Sequence, residues 1–306
     1  MTLTAGRTGL SKKTKKAVFI SLSILPVFVF YTVIVLYPLF DGLAISFFKW
    51  SGFSATREFV GFKNYENAIK NSALLWKAFK NDMFFAVIRI TLVAVIAFFF
   101  AETICRMKLK ENGFYRVIFF LPHMLSAVIT SMLWLFIFNP QFGLLNGFLK
   151  AIGLSSFSKP WLVDLNTVKW ALIVPMVWAQ VGFYMIIYIA AIKGVPPTYY
   201  EAAEIDGASY MKQLTRITIP LVWGHIRTTL LLLVVGCFSA NFTTVNIMTA
   251  GGPGTHTWTM MFALYKAAFG DYDYGYAAVI GVIITVFALI YSQIVNRVTK
   301  RERIEY

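Results

Sequence analysis

A cluster of hydrogen-bonding side chains interrupts an otherwise apolar part of this sequence. Such groups can bind the hydroxyls of a polar ligand, but single Ser, Thr and Asn residues in apolar helices more often bind a neighbouring helix. Tyr184 and Tyr188, in another apolar stretch, offer ring faces that can pack against carbohydrate rings. The sequence therefore indicates either recognition of a polar molecule or helix packing. The interrupting residues are Ser239, Asn241, Thr243, Thr244 and Asn246.

Patterns that would support covalent chemistry are absent from the sequence. It has no Gly-x-x-x-x-Gly-Lys-Ser/Thr phosphate-binding loop, no His-x-x-x-His and no Gly-x-Ser-x-Gly. Cys105 and Cys237 are too few and too far apart in sequence for a zinc cluster or a disulfide framework. We therefore expect a chain that is not an enzyme and that binds no metal or cofactor itself.

The elements that position these groups are predicted to be transmembrane helices. Hydrophobic residues make up 58% of the 306 residues and charged residues 14%, a balance from which a water-exposed surface cannot be built. The apolar runs are about 20 residues long, as a helix needs to cross a bilayer. The predicted fold class is an all-α polytopic membrane protein with six transmembrane helices. They cover residues 18–40, 83–104, 117–138, 168–192, 228–249 and 276–298.

We interpret the net charge of +14 as a feature of membrane topology rather than of nucleic-acid binding. Basic residues collect at span ends, where cytoplasmic loops and anionic headgroups favour them. We predict a cytoplasmic basic tail at 1–17, a transmembrane domain at 18–298 and a cytoplasmic tail at 299–306. The lysine-rich loop before the second span weakens this orientation, but charges in long loops count less.

Polar residues near the second and third spans lead to three further expectations. Residues 64–82 are predicted to form an amphipathic helix in the outer interface. Arg89 is expected to extend towards the outer surface, and His123 to form a helix-to-helix hydrogen bond. We expect no acidic residue deep within a span, since Glu102 falls at a cytoplasmic end.

Segment 194–220, between the fourth and fifth spans, is too long and too patterned to be a simple connector. Pro196 and Pro197 end the incoming helix, and Thr198 is expected to cap a new one. Glu201 falls in the first turn of that helix, where the helix dipole favours negative charge. The pattern predicts a short helix lying parallel to the membrane.

That short helix has the features of a docking element. Ala202 and Ala203 keep one face low, so that a partner can approach the backbone, and Gly207 permits a sharp turn. The alternative is an amphipathic helix on the inner membrane surface. Such a helix would carry a larger apolar stripe and more basic residues.

The residues of this segment resemble the EAA loop of binding-protein-dependent ABC importer permeases. Glu201-Ala-Ala, three residues, Gly207, nine residues and Ile217-x-Ile219-Pro220 follow the family spacing, with Ile219 where leucine is usual. The resemblance implies that a helix at about 197–206 docks on a separate ATPase subunit. The implied coupling residues are Glu201, Ala202, Ala203, Asp206, Gly207 and Pro220.

Other stretches resemble the carbohydrate branch of the same family. Residues 59–65, 119–122, 142–146 and 251–253 are similar, in order and spacing, to the first permease subunit of maltose-type and glycerol-3-phosphate-type importers. The resemblance places solute contacts at Gln180, Phe183, Phe238 and Asn241, and Tyr184 adds an aromatic face beside them.

The resemblance also implies the ABC type I importer permease fold and a set of partners. These are a second permease subunit, two ABC ATPase subunits that use ATP and Mg²⁺, an extracytoplasmic solute-binding protein, and a sugar or oligosaccharide. The expected location is the cell membrane of a bacterium or archaeon, with both termini cytoplasmic. An ion-coupled secondary transporter is the alternative, and the expected lack of acidic groups deep in the spans disfavours it.

Overall fold

The computed structural model describes residues 11–107 and 112–300, and most of these residues are helical. The predicted tails at 1–17 and 299–306 fall largely outside the described residues. The helices are α1 (Lys12–Tyr31), α2 (Tyr37–Ile45), α3 (Lys63–Lys70), α4 (Ser72–Arg106), α5 (Asn112–Met124), α6 (Ala127–Ile137), α7 (Leu144–Ala151), α8 (Val168–Lys193), α9 (Thr198–Ile205), α10 (Tyr210–Gln213), α11 (Ile219–Leu221), α12 (Trp223–Val235), α13 (Ala240–Met248), α14 (Met260–Tyr265) and α15 (Tyr274–Val298).

Short irregular elements join these helices. Two-residue strands, β1 (Phe48–Lys49) and β2 (Glu58–Phe59), pair antiparallel. A 3₁₀ turn covers Ser155–Phe157, and π-helical turns extend neighbouring helices at Thr32–Leu36, Leu214–Thr218 and Lys266–Gly270.

Among the described residues, four helices are long and apolar enough to cross a membrane without a break. They are Val18–Ile45, Ser72–Arg106, Val168–Lys193 and Tyr274–Val298. Two bent helix pairs raise the number to six if each pair is one span. The predicted all-α polytopic fold is confirmed, but two of the six predicted spans are not continuous helices.

The third predicted span, 117–138, is broken by the residues at its centre. Pro122 lies near the end of α5, and the Ser126 hydroxyl caps α6 by accepting a hydrogen bond from Ile129 N at 3.3 Å. The two helices meet at 98°. Proline removes a backbone donor and serine favours a new helix start, so the chain turns at this point.

The fifth predicted span, 228–249, is divided between two helices. α12 ends at Val235, and α13 begins at Ala240. The intervening residues include Gly236 and the fully buried Cys237. Phe238 beside it is also buried, and non-helical backbone within a membrane is tolerated where it packs against protein. The bent pair counted as one span is instead Tyr210–Leu221 with Trp223–Val235, at 67°.

The predicted outer helix at 64–82 is also two elements. α3 covers Lys63–Lys70, and residues from Ser72 onward belong to the transmembrane helix α4. Asn71, between them, has a non-helical backbone and is the C-terminal cap of α3. The apolar spacing was read correctly as helical, but it could not reveal a change of axis within a helical stretch.

The core is centred on α4 and α8, which pack along much of their lengths. Phe85 and Val93 of α4 and Leu172 and Met185 of α8 are fully buried. Gly182 brings α5 close to α8, because a Cβ there would collide with the Phe119 carbonyl. Close approach at small residues is a general feature of helix packing in membranes.

The first span stands apart from that core. None of its most apolar 18-residue window is buried within the chain. Its final part, α2, packs against α15. The apolar side chains of α1 are therefore free to contact lipid or another protein.

Candidate functional site

Segment 194–220, called the EAA segment below, contains the predicted short helix, which forms as α9 at Thr198–Ile205. Pro197 occupies the N-terminal cap position, so the expectation that Thr198 caps the helix is wrong. Glu201 lies in the first turn, as the sequence predicts. A proline immediately before the first turn presets the helical backbone, which explains why the helix starts one residue early.

The C-terminal end of α9 turns sharply at glycine. Gly207 has φ of +69° and donates its N–H to Glu204 O at 3.0 Å. Ala208 N then donates to Ala203 O at 2.8 Å. These two bonds satisfy carbonyls left open at the helix end, and glycine adopts this left-handed backbone at little cost.

One face of α9 is packed and the other is bare. Ala203 is buried, whereas Glu201, Ala202 and Asp206 are exposed. Ile205 is 87% exposed, and Met211 beyond the turn is 61% exposed. Exposed apolar side chains of this size beside a carboxylate are typical of a protein interaction surface.

The EAA segment is fastened to the end of α4 and to its own second half. The Arg106 guanidinium lies 3.9 Å from the centre of the Tyr210 ring. Tyr200 Oη and Thr218 Oγ1 are hydrogen-bonded at 3.1 Å, and burial raises the pKa of the Tyr200 phenol, so it stays protonated. Pro220 lies in the short α11, where this segment turns into α12. The EAA segment is thereby linked by direct contacts to α4 and by chain continuity to α12.

A buried polar cluster, formed by Asp82, Arg89, Asn241 and the Cys237 carbonyl, lies among the transmembrane helices. Arg89 Nη1 donates to Asn241 Oδ1 at 3.0 Å. Asn241 Nδ2 donates to Cys237 O at 2.9 Å and to Asp82 Oδ1 at 3.5 Å. All three side chains are at most 1% exposed.

This cluster overturns two expectations. Arg89 does not extend to the outer surface but turns inward to α13. An acidic residue, Asp82, is fully buried within the continuous helix Ser72–Arg106. The sequence prediction began the second span at residue 83 and so placed Asp82 outside it. The seven-residue spacing of Asp82 and Arg89, which puts both on one helix face, was the available signal.

Asp82 and its neighbour also hold the backbone of segment 256–260. Met260 N donates to Asp82 Oδ2 at 2.7 Å. Asn81 Nδ2 donates to His256 O at 2.9 Å and to Trp258 O at 2.8 Å. Two consecutive residues of α4 therefore fix this segment with three hydrogen bonds. The segment lies at the end of the bundle opposite the EAA segment.

The loop before this segment is an ordered turn, as its Gly-Gly-Pro pattern predicts. Gly251 has φ of +81°, and a Cβ there would lie 2.6 Å from Trp258 Cδ1. Thr257 Oγ1 donates to Gly252 O at 2.8 Å and is hydrogen-bonded to Thr249 Oγ1 at 2.9 Å.

The five predicted solute contacts fall into two neighbouring groups. Asn241 and Phe238 lie at the break between α12 and α13, and both are buried, as is Tyr184 of α8. Phe183 stacks on His123 with ring centres 4.7 Å apart, and the buried Gln180 Oε1 has no hydrogen-bond partner. The Phe183 and Tyr184 rings, 5.1 Å apart, connect the groups.

Two polar side chains near these groups have clear packing roles. His123 Nδ1 is hydrogen-bonded to Ala179 O at 3.1 Å, which confirms the predicted bond between helices. Tyr188 is fully buried against Phe98, with ring centres 5.6 Å apart. In the described part of the chain no three His, Cys, Asp or Glu side chains converge as a metal site would require.

A bundle of broken helices with buried polar groups, and a short exposed helix at one end, is the architecture of a membrane permease. The sequence profile described as "Binding-protein-dependent transport system inner membrane component" matches residues 94–304. The chain belongs to this family of ABC importer permeases.

Relatives of known description support the same assignment. The chain is 33% identical to the probable ABC transporter permease protein YurN of Bacillus subtilis, over 83% of this chain and 87% of that protein. It is 32% identical to the diacetylchitobiose uptake system permease protein NgcF of Streptomyces coelicolor, over 88% and 79%. A solved bacterial ABC transporter that imports the acidic polysaccharide alginate has the same fold, with a TM-score of 0.83, 23% identity, and coverage of 94% and 97%.

Proposed function

We propose that this chain forms the sugar pathway of an ATP-driven importer, and that α9 couples this pathway to separate ATPase subunits. The observation that carries the proposal is the bare face of α9, with Glu201 and Ile205 exposed, in a segment that is held to α4 just beyond α9 by the contact of Arg106 with Tyr210. A helix that is exposed on one side and held on the other can bind a partner and pass the partner's movement on to the transmembrane helices.

The coupling residues have separate roles in this proposal. Glu201 and Ala202 face the ATPase subunit, Ala203 packs inward, and Gly207 lets the helix pivot. Asp206 ends the helix, and Pro220 marks the return to the bundle. ATP and Mg²⁺ are bound by the ATPase subunits, which supply the energy.

The EAA segment is proposed to be cytoplasmic. Its end of the bundle is rich in basic residues, as inner loops are. In this proposed orientation both chain termini are cytoplasmic and segment 256–260 lies on the outer side. The basic residues are Arg106, Lys193, Lys212, Arg216, Arg227, Arg297 and Lys300.

The pathway is proposed to form between this chain and a second permease subunit. The exposed apolar faces of α1, α5 and α6 give ample surface for such a partner. A solute-binding protein would deliver sugar at the outer end, and two ATPase subunits would lie at the inner end. When ATP closes the ATPase pair, α9 moves and the pathway opens outward. Hydrolysis resets it.

The solute class follows from relatives and from the lining side chains. Named relatives include permeases for diacetylchitobiose, starch degradation products and lactose. Gln180, Phe183, Tyr184, Phe238 and Asn241 combine aromatic faces with carboxamides, which suits a sugar. Asn241 is fully engaged in this conformation, so its contact with solute requires the buried polar cluster to rearrange.

The rival, an ion-coupled transporter, gains one argument from the buried Asp82, since such transporters use ionisable groups within the membrane. Family membership favours the ATP-driven alternative. Uphill sugar uptake by vesicles containing the permease pair but no ATPase would establish the rival.

The decisive experiment removes the carboxylate of Glu201. Glu201→Ala should release the ATPase subunits during purification and abolish ATP-dependent uptake, while the permease pair stays assembled. Glu66→Ala is the matched control, because Glu66 is exposed on α3 at the opposite end. Wild-type ATPase binding and uptake with Glu201→Ala would refute the assignment of α9.

A further inference from the structure

The buried polar cluster connects two places where the backbone departs from regular helix. One is segment 256–260, held by Asn81 and Asp82 at the presumed outer end. The other is the break between α12 and α13, where Asn241 binds the Cys237 carbonyl. Asn241 is hydrogen-bonded to the Cys237 carbonyl in the break and to Asp82, which in turn accepts a hydrogen bond from Met260 N.

Asn241 separates two buried charges that do not touch each other. Among the described residues the one ion pair is Arg57–Asp41, so Asp82 and Arg89 are not directly paired. A carboxamide has one acceptor oxygen and a donor nitrogen, and it can therefore serve a guanidinium and a carboxylate at once. The hydrogen-bond pattern fixes its orientation, with Oδ1 towards Arg89 and Nδ2 towards Asp82.

We infer that Asp82 and Arg89 are positioning residues that make segment 256–260 and the 236–239 helix break move as one unit. Asp82 joins Met260 N to Asn241, and Arg89 holds the other side of the Asn241 carboxamide. The inference rests on the proposed function for its purpose: movement of the outer segment on docking of a binding protein would reach the predicted solute contacts at Phe238 and Asn241.

The physical basis is the cost of leaving a buried charge alone. Removing one member of a buried charged network leaves the other uncompensated and is strongly destabilising, whereas removing both leaves no uncompensated charge. If segment 256–260 moved away with Asp82 fixed, Met260 N and a carboxylate oxygen would lose their bond inside the protein. Joint movement keeps every bond of the cluster.

The first test uses Cys237 as a reporter of the helix break. Cys105→Ser leaves Cys237, which is fully buried, as the single thiol of the chain. In that background, with the full chain co-expressed with its partner subunits in membranes, the labelling rate by N-ethylmaleimide is measured. Asp82→Asn combined with Arg89→Gln leaves neither charge uncompensated but replaces the charge-assisted hydrogen bonds to Asn241 with weaker neutral ones. It should therefore raise the rate about tenfold by loosening the break.

The matched control for this test is Ser131→Ala. Ser131 is equally buried and contacts α13 through Thr244 Oγ1 at 3.4 Å, but it lies outside the cluster. The labelling rate of Cys237 in the Ser131→Ala chain should stay at the value measured without that substitution. Wild-type labelling of the doubly substituted chain, with assembly verified by co-purification, overturns the inference.

The second test runs in the opposite direction. Arg89→Gln changes a residue that does not contact segment 256–260, and hydrogen exchange is followed in peptides covering Met260. Exchange should become about tenfold faster there if the two ends are coupled. A change confined to peptides around Cys237 would show a local packing role and overturn the inference. If Arg89→Gln does not assemble, exchange is measured on Arg89→Lys, which keeps the positive charge but loses the planar guanidinium, against Ser131→Ala. The same two outcomes then support or overturn the inference.

Neither test requires transport, a solute or ATP hydrolysis. Failure of these tests with intact ATP-driven uptake would remove the coupling through Asp82 and Arg89 but leave the proposed function standing. If both tests give the expected result but the chain binds no ATPase subunit, the coupling through Asp82 and Arg89 stands and the proposed function is refuted.

Discussion

The Arg106 guanidinium lies 3.9 Å from the centre of the Tyr210 ring. This contact joins the last residue of α4 to the first residue of α10, just beyond the exposed α9. Asn81 and Asp82, in the N-terminal third of the same helix, hold segment 256–260. One continuous helix therefore contacts both the coupling element and segment 256–260, at points about 40 Å apart.

Removing the Tyr210 ring should weaken coupling without preventing assembly. Tyr210→Ala loses a cation–π contact that contributes about 0.5–2 kcal/mol. We expect ATP hydrolysis of the reconstituted complex to continue while sugar uptake per ATP falls. Tyr210→Phe keeps a ring for Arg106 and should behave as wild type, and an equal loss in both variants would exclude the ring contact as the cause.

Gly207→Ala should impair coupling more than folding. The φ of +69° makes alanine unfavourable by roughly 1–2 kcal/mol, although a Cβ there meets no atom within 4 Å. The variant should assemble with its partner permease and lose most ATP-dependent uptake. Gly153→Ala, with φ of +81° and equally open surroundings, is the matched control. Normal uptake with Gly207→Ala would mean that α9 needs no left-handed turn.

Gly182→Ala should be strongly destabilising. Its methyl group would collide with the Phe119 carbonyl, and the backbone of α5 or α8 would have to shift. Overpacking of this kind costs about 1–3 kcal/mol or more. Thermal denaturation of the purified chain measures the loss. Gly224→Ala in α12 has open space around the new methyl group and should be neutral or stabilising.

Asn241→Ala should lower stability as well as alter transport. It removes the carboxamide between Asp82 and Arg89 and leaves both side chains short of a partner, at a cost of about 3 kcal/mol. Thr243→Ala, on the same helix and only partly buried, should lower the melting temperature far less. A melting temperature equal to that of wild type would show that the cluster contributes no net stability.

Much of the fold was predictable because lipid imposes strict local rules. Long apolar runs identified the spans, and Pro197, Glu201 and Gly207 identified α9 and its sharp end through backbone preferences of neighbouring residues. The breaks within 117–138 and 228–249 were missed. Hydropathy averages over a window and is insensitive to a change of helix axis at Ser126 or to an interruption of the helix at Gly236.

The sequence by itself determined that the chain is an all-helical membrane permease with an EAA loop, since composition, span length and motif spacing are properties of the linear chain. Only the tertiary structure decided where the polar side chains of the spans point. Asp82, Arg89 and Asn241 are separated by up to 159 residues and meet because two long side chains of α4 reach Asn241 at the start of α13. No local sequence pattern predicts that contact, because it forms only when the helices pack together. That packing depends on the whole bundle.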